Sequence, residues 1–384
     1  MLSIGVLREG IFLRRTNRFV CECAIDGEQT FAHLPNSGKL MELLTENRKV
    51  YVVKNDKGKL PFKIRFVEKD GLKILVDTVL TNQLVCHLVE RDLIPSLVGY
   101  RVLKKEVPVN RRRIDFILEK DGRKLCLEVK NSTLFRTVLS MFPDCQTERG
   151  RSHIKELLKL KNGDTDAGIL FVVSSPTVKY FLPDFHNDFH FARELFLASE
   201  KIWIGAISFG FGEDLSISEV KELSIPWHEL IKVKKDSGVY LLGLKIEKDV
   251  DLQIGALGQV SIRSGYYVYS GSAKMCLKKR IERHGRKKKK VFWHIDYLTS
   301  KFRPYFHLPV RIDKPYECYI ARRLAAMCDW IIPNFGSSDC KCLSHLFGFE
   351  KDPLKNERFI DFVLYLRLGL IEERLEMIEK EHFL

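Results

Sequence analysis

The stretch Arg113-Ile-Asp-Phe-Ile-Leu-Glu-Lys-Asp-Gly-Arg-Lys-Leu-Cys-Leu-Glu-Val-Lys130 decides how this chain is read. Asp121-Gly122 is a two-residue turn dipeptide between two alternating runs, the signature of a β-hairpin. With such a turn Lys120 pairs with Arg123, and the same register sets Asp115 directly opposite Glu128. Side chains alternate across a strand, so Lys130 shares the face of Glu128, while Ile114, Phe116, Leu118, Leu125, Leu127 and Val129 share the other. One face is expected to be core, and the other to gather two carboxylates and an ammonium. Two carboxylates at cross-strand distance repel unless a cation sits between them. The pattern therefore predicts Mg²⁺ (or Mn²⁺) held by Asp115 and Glu128, with Lys130 beside it to orient a water or neutralise charge at a scissile phosphate. The competing reading of the same residues is a surface hairpin with a salt bridge.

The segment after the hairpin favours the metal site. Phe142-Pro-Asp-Cys-Gln-Thr-Glu-Arg-Gly-Arg-Ser-His153 leads into a helix expected from Glu148 to Leu160, with Thr147 as its cap. It brings Arg149, Arg151 and His153 near the carboxylates, and Arg113 precedes them, a set suited to a phosphate backbone. The whole chain agrees. Its 384 residues carry 64 Lys and Arg against 50 Asp and Glu, a formal charge of +14 that favours polyanionic partners. No apolar run is long enough to span a membrane, and the start reads as a strand rather than a signal peptide. Ten scattered cysteines then suit reduced thiols in a cytoplasmic protein.

Along the chain, residues 1–82 give short alternating runs broken by Asp26-Gly27, Asn55 to Gly58 and Asp70-Gly71, the pattern of a small β-barrel or sandwich. Residues 83–222 alternate helix and strand: Leu84 to Leu97 is expected helical, then come the hairpin, the Glu148 helix, a buried strand at Gly168, a helix from Phe189 and a strand at Trp203. A boundary falls at 222–236, a further unit spans 236–349, and a helical tail covers 350–384. The tail's stripe of Phe359, Phe362, Val363, Leu366, Leu370 and Ile371 is expected to pack on that unit, with homodimerisation as the alternative.

Four motifs together, His33-Leu-Pro-Asn-Ser-Gly38, Arg113-Ile-Asp-Phe116, Glu128-Val-Lys-Asn131 and Phe142-Pro-Asp…Thr-Glu-Arg-Gly…His153, resemble the SfsA family (sugar fermentation stimulation proteins) over residues 1 to about 220. The resemblance implies an OB-like barrel joined to a PD-(D/E)XK nuclease-like α/β domain, DNA binding as the attributed activity, and a nuclease core at Asp115, Glu128 and Lys130, with Glu106 as a further acidic member. His33, Asn36 and Gly38 match the family, yet the residue types suggest no chemistry beyond shaping a turn.

The second basic region is richer. Lys274 to Lys290 holds ten Lys or Arg and one Glu. Helical spacing sets Arg280 and His284 on one face, and Arg283, Arg286, Lys287, Lys288, Lys289 and Lys290 are expected to hold a nucleic-acid backbone. Gly238-Val-Tyr240, Tyr269-Ser-Gly271, Arg280, His284 and Glu317 are similar, in order, to the motifs of GIY-YIG nucleases, and Trp293-His-Ile-Asp-Tyr-Leu298 with Phe335-Gly-Ser-Ser-Asp-Cys-Lys-Cys-Leu-Ser-His-Leu346 resembles the GIY-YIG-like domain found fused to DNA-repair glycosylases. The resemblance implies Glu317 as metal ligand, Tyr240 as base or water-positioner, Arg280 as stabiliser of phosphate charge, and Tyr269 and His284 as positioning groups. Tyr240 and Tyr269 lie 29 residues apart, wider than the family's short loop. His294 and Asp296 are read as a strand pair or as a core pair. Cys340, Cys342, His345 and Cys318 have zinc-ligand types, but C-x-C is tighter than the usual spacing, and buried thiols at a folded turn are favoured over zinc.

The expected fold class is thus a multidomain α/β protein of OB-like barrel, PD-(D/E)XK nuclease-like domain and GIY-YIG-like domain. The expected function is DNA binding with metal-dependent endonuclease or phosphodiesterase activity; a non-catalytic, regulatory DNA-binding protein on the same folds is the alternative. The sequence does not choose between DNA and RNA.

Overall fold

Asp121 and Gly122 both take left-handed conformations, φ 52° and 79°, which is the geometry a two-residue turn between twisted strands demands. In this computed structural model, which describes residues 4–56, 58–109 and 112–382, Arg112–Lys120 and Arg123–Asn131 pair in the expected register, Lys120 with Arg123 through Phe116 with Leu127. Arg123–Asn131 then pairs in parallel with Thr165–Val173, and that strand in parallel with Trp203–Ser208. With Arg101–Val109 and Lys221–Glu222 at its edges, the sheet has six strands.

The hairpin is more enclosed than its own alternation suggests. Thr78–Glu90 covers one face, packing Leu80, Leu84 and Leu88 with Phe116, Leu118, Leu125, Leu127 and Val129. Glu148–Leu160 and Phe189–Ser199 cover the other, where Ile154 and Leu195 join Cys126, Ile169 and Phe171. Ile114 departs from its expected companions and clusters on this second side. Parallel pairing puts Arg123–Asn131 in the middle of a three-layer α/β/α stack, so both its faces are buried. The first helix begins at Thr78, six residues before the apolar spacing suggested, because Asp77 caps it by accepting from the N–H groups of Val79 and Leu80. It stops at Glu90, and only a short 3₁₀ turn, Pro95–Leu97, completes the stretch expected to be helical.

Ahead of this layer, Arg8–Asn17, Val20–Ile25, Glu28–His33, Lys49–Lys54 and Phe62–Lys69 form a barrel, closed by the parallel contact of Glu28–His33 with Phe62–Lys69. The His33 motif shapes its rim. Asn36 donates to the Val76 carbonyl and accepts from the Gly38 N–H, while Asp144 accepts from the Leu40 N–H. A Cβ on Gly38 would lie 2.5 Å from an Asp144 oxygen, so the glycine is required for close approach.

The chain divides into two units, residues 4–230 with 368–382, and residues 231–367. In the second, Phe306–Val310, Gly238–Ile246, Gly265–Ala273, Leu346–Phe349 and Trp330–Ile331 form an antiparallel sheet in that order. Leu277–His284, His294–Lys301 and Glu317–Ala325 are its main helices, and Phe359 and Phe362 of Glu357–Leu364 pack on Phe306, Phe349 and Tyr319. The tail therefore packs as expected only as far as this helix. Leu370–His382 belongs to the first unit, where Glu372, 3% exposed, accepts from the N–H groups of Thr137, Val138 and Leu139 and from Arg136. Among the described residues no helix is long and apolar enough to cross a membrane.

Candidate functional site

Asp115, bonded to the helix Thr78–Glu90, and Glu128, bonded to the helix Glu148–Leu160, line a cleft of about 430 Å³ together with Lys130, Glu106, Asn82 and Arg149. Each carboxylate is held in place. Asp115 accepts from Asn82 Nδ2 at 2.9 Å and from the Val129 N–H at 2.7 Å. Glu128 is 3% exposed, and its Oε1 accepts from Lys130 Nζ and His153 Nδ1. Arg149 Nε donates to the other nitrogen of His153 at 3.4 Å, which fixes the tautomer carrying its proton on Nδ1. The second oxygen, Glu128 Oε2, is buried with no hydrogen-bond partner among the described residues. A buried carboxylate oxygen left bare costs free energy unless something positive meets it. With Asp115 alongside, the donor set is all hard oxygen and fits a divalent cation.

The electrostatics separate the pair. Burial, reinforced by the Glu128 charge, pushes the Asp115 carboxyl up to about 6. Burial pushes Glu128 up as well, but Lys130 and His153 more than offset it, and Glu128 stays below the usual range. Two acids at one site with divergent proton affinities are characteristic of functional clefts. Glu106 adds a third carboxylate to the lining and sits at φ 49°, a left-handed conformation unusual for a residue with a side chain.

Two expectations change here. His153 is no phosphate contact: it is 3% exposed and serves Glu128. Arg151 does not line the cleft, whereas Arg149 does, and Arg113 is exposed on the strand that carries Asp115. Asn82 escaped the sequence reading; a lone asparagine on a helix 33 residues before its partner leaves no pattern.

The second unit builds its own site. Antiparallel pairing sets Tyr240 opposite Gly271 and Leu242 opposite Tyr269, so the two tyrosines are diagonal neighbours with ring centres 6.3 Å apart. Their wide separation in sequence is absorbed by an extra hairpin, Val250–Gln253 with Gln259–Ile262. Both line a cleft of about 640 Å³ with Arg280, Trp293, His294 and Glu317. Tyr240 Oη lies 2.8 Å from His284 Nε2, and His284 Nδ1 is 3.5 Å from Asp296 Oδ1. Burial pushes the Tyr240 and Tyr269 phenols up and His284 down. Tyr240 is thus a buried phenol in hydrogen-bond contact with His284. Arg280 lies over the Trp293 ring at 4.1 Å, and Ser272 donates to Glu317 Oε2.

His294 and Asp296 open a helix rather than a strand. Asp296 accepts from the Phe292 and Trp293 N–H groups and from both ends of the Arg283 guanidinium. Arg283 is therefore structural, and Lys289 also points inward, donating to the His284 carbonyl and Thr299. Arg286, Lys287, Lys288 and Lys290 are exposed, as a backbone-binding surface requires. Cys340 Sγ lies 3.3 Å from His345 Nε2, and the sulfurs of Cys318, Cys340 and Cys342 with the ring nitrogen of His345 all fall within 4.8 Å of one another.

Three family models match the chain: the SfsA N-terminal OB domain over residues 13–76, the sugar fermentation stimulation protein RE domain over 79–211, and a domain of unknown function, DUF123, over 239–366. A sugar fermentation stimulation protein homolog of Methanothermobacter thermautotrophicus is 30% identical over 224 residues, 57% of this chain and 93% of the relative. One from Acetivibrio thermocellus is 34% identical over 199 residues, 51% of this chain and 85% of the relative. A solved structure of Pyrococcus furiosus SfsA in complex with Ca²⁺ superposes with a TM-score of 0.55 at 31% identity, covering 58% of this chain and 98% of that one.

Proposed function

Because the chain belongs to the sugar fermentation stimulation protein family, we propose that it binds DNA and cleaves phosphodiester bonds at Asp115, Glu128 and Lys130 with a divalent cation. The observation that carries this reading is the bare, buried Glu128 Oε2 of a carboxylate that lines one cleft with Asp115. A protein that only gripped a polyanion would gain nothing from two acids, because they repel the phosphates. The complex of the Pyrococcus furiosus relative with Ca²⁺ supports the choice of a hard divalent ion.

Asp115 and Glu128 would hold Mg²⁺ or Mn²⁺, which when bound supplies Lewis-acid polarisation at a scissile phosphate. The protein's own groups do the rest. Asn82 and the Val129 N–H hold the Asp115 oxygens, and His153 holds Glu128 through Oε1, which leaves Oε2 as the uncommitted oxygen. Lys130 sets a cation beside the carboxylates, where charge develops as a phosphodiester is attacked. Arg149 at the cleft and the exposed Arg113 supply backbone contacts. The barrel formed by the strands from Arg8–Asn17 to Phe62–Lys69 would grip strands of nucleic acid by charge and stacking. In the second unit Glu317, Arg280, Tyr240, Tyr269 and His284 form a second phosphodiester site, with Arg286, Lys287, Lys288 and Lys290 as its approach.

The test is incubation of pure protein with labelled single-stranded, duplex, branched and RNA substrates in Mg²⁺, Mn²⁺ or EDTA, beside Glu128→Ala, Glu317→Ala and the double variant. Metal-dependent cutting lost in Glu128→Ala is the expected result. Loss only in the double variant assigns cutting to both sites. Salt-sensitive binding without cutting under any metal defeats the nuclease reading and leaves a DNA-binding protein.

A further inference from the structure

We propose that Cys318, Cys340, Cys342 and His345 bind one structural zinc ion that braces the second cleft. Three thiol sulfurs and an imidazole nitrogen converge within 4.8 Å. Tetrahedral zinc with sulfur at about 2.3 Å and nitrogen at about 2.0–2.1 Å needs sulfur–nitrogen edges near 3.6 Å and sulfur–sulfur edges near 3.8 Å. Cys340 Sγ and His345 Nε2 are already 3.3 Å apart, and the other ligand atoms, all within 4.8 Å of one another, need to draw in by about an ångström at most to close a shell. Nothing in the local sequence forces this meeting: Cys318 comes from the first turn of Glu317–Ala325, 22 residues before Cys340.

The imidazole is prepared for a metal. Its Nδ1 lies 3.0 Å from Ser270 Oγ, which leaves Nε2 to face the sulfurs. A zinc-bound histidine characteristically donates its other ring N–H to such an outer partner. His345 and Ser270 are both buried, and the Ser270 N–H donates to the His345 carbonyl at 3.0 Å, so the partner is anchored twice. Four protein ligands leave no open position, which is the arrangement of a structural rather than a catalytic zinc. Soft thiolates also discriminate against the hard ion expected at Asp115 and Glu128.

The place matters more than the ion. Cys318 follows Glu317, Ser270 follows Tyr269, and Cys340 follows the Gly336 to Asp339 turn that lines the cleft. A single bound ion would tie together the helix start, the strand and the loop that carry these residues. All ten cysteines are free thiols, including these three.

The test uses the full chain, expressed without a polyhistidine tag and analysed for metals. One zinc per chain is expected, none in Cys340→Ser/Cys342→Ser, and one again in His345→Cys, which keeps four soft ligands and guards against misfolding. Cobalt replacement should give the thiolate charge-transfer and visible bands of a tetrahedral ion, altered in His345→Cys. Titrating the thiols with a mercurial should release the zinc in step and lower the melting point of the second unit. No zinc after growth and purification with added zinc, zinc retained in the double serine variant, an iron–sulfur chromophore, or a mass lower by two hydrogens from a disulfide would each overturn the proposal.

Discussion

Replacing Asp115 by Asn should make the metal-free protein more stable while removing its response to divalent cations. Burial and the Glu128 charge raise the Asp115 carboxyl from 3.8 to about 6. A folded-state value above the unfolded one means that this group stabilises the fold only while protonated. That contribution is complete below pH 4, declines as pH rises and is gone above about pH 6. That rise corresponds to about 3 kcal/mol. Asp115 is only partly shielded from water, which trims the figure to roughly 1–3 kcal/mol. Asparagine has nearly the same shape, carries no charge at any pH and still accepts the Val129 N–H through its oxygen, while its amide nitrogen donates to Asn82 once that side chain turns its own oxygen toward it. At pH 7.5 in EDTA the variant should therefore melt several degrees above the parent, since each kcal/mol is worth roughly 2–4 °C in a unit of this size. The advantage should vanish near pH 4. Added Mg²⁺ or Mn²⁺ should raise the melting point of the parent and leave the variant unmoved. Scanning calorimetry of both proteins from pH 4 to 8, with and without metal, is the assay. A variant that melts lower in EDTA at pH 7.5, or that keeps the full metal response, would refute the account of the pair.

Glu372→Ala strips the acceptor from three backbone N–H groups at 137–139 and should destabilise the first unit by roughly 3 kcal/mol or more, read as faster amide exchange at those positions. Gly271→Ala would put a Cβ 2.6 Å from the Tyr240 ring and hydroxyl, so it should abolish any cutting that depends on Glu317 while sparing cutting that depends on Glu128. Alanine at Arg286, Lys287 and Lys288 should weaken DNA binding evenly across sequences and flatten the log–log salt slope by roughly 2–3. Lys289→Ala should instead lower the melting point with little change in that slope, because its ammonium is bonded inside the protein.

The hairpin at 113–130 was legible because the Asp-Gly turn leaves one register, which the strands keep from Lys120 with Arg123 to Phe116 with Leu127; the ladder ends there, and Asp115 is placed beside Glu128 by accepting from the Val129 N–H, not by the cross-strand pair the register predicted. Enclosure of the hairpin was not legible, since burial on the carboxylate side comes from parallel pairing with Thr165–Val173 and from Glu148–Leu160. The histidine read as a phosphate contact is a support for that reason. Tyr240 and Tyr269 could be named from motif order, but their adjacency depends on strand pairing across an inserted hairpin. His294 and Asp296 were ambiguous at a spacing of two, and capping by Asp296 resolves them as a helix start. The zinc-type residues were visible one by one. Their convergence was not, because a turn and a helix start distant in sequence meet only in the folded unit.

The helix Leu370–His382 belongs to the unit that the strand Arg8–Asn17 opens. During synthesis the loop at Thr137–Leu139 leaves the ribosome more than two hundred residues before the glutamate that neutralises its amides. The first unit would wait, incompletely satisfied, while residues 231–367 are made and fold as a guest within its chain. A message truncated after every residue of both clefts, but before this helix, would still release a protein whose first unit lacks a brace. Completion of the first unit therefore depends on a helix translated after every residue of both clefts.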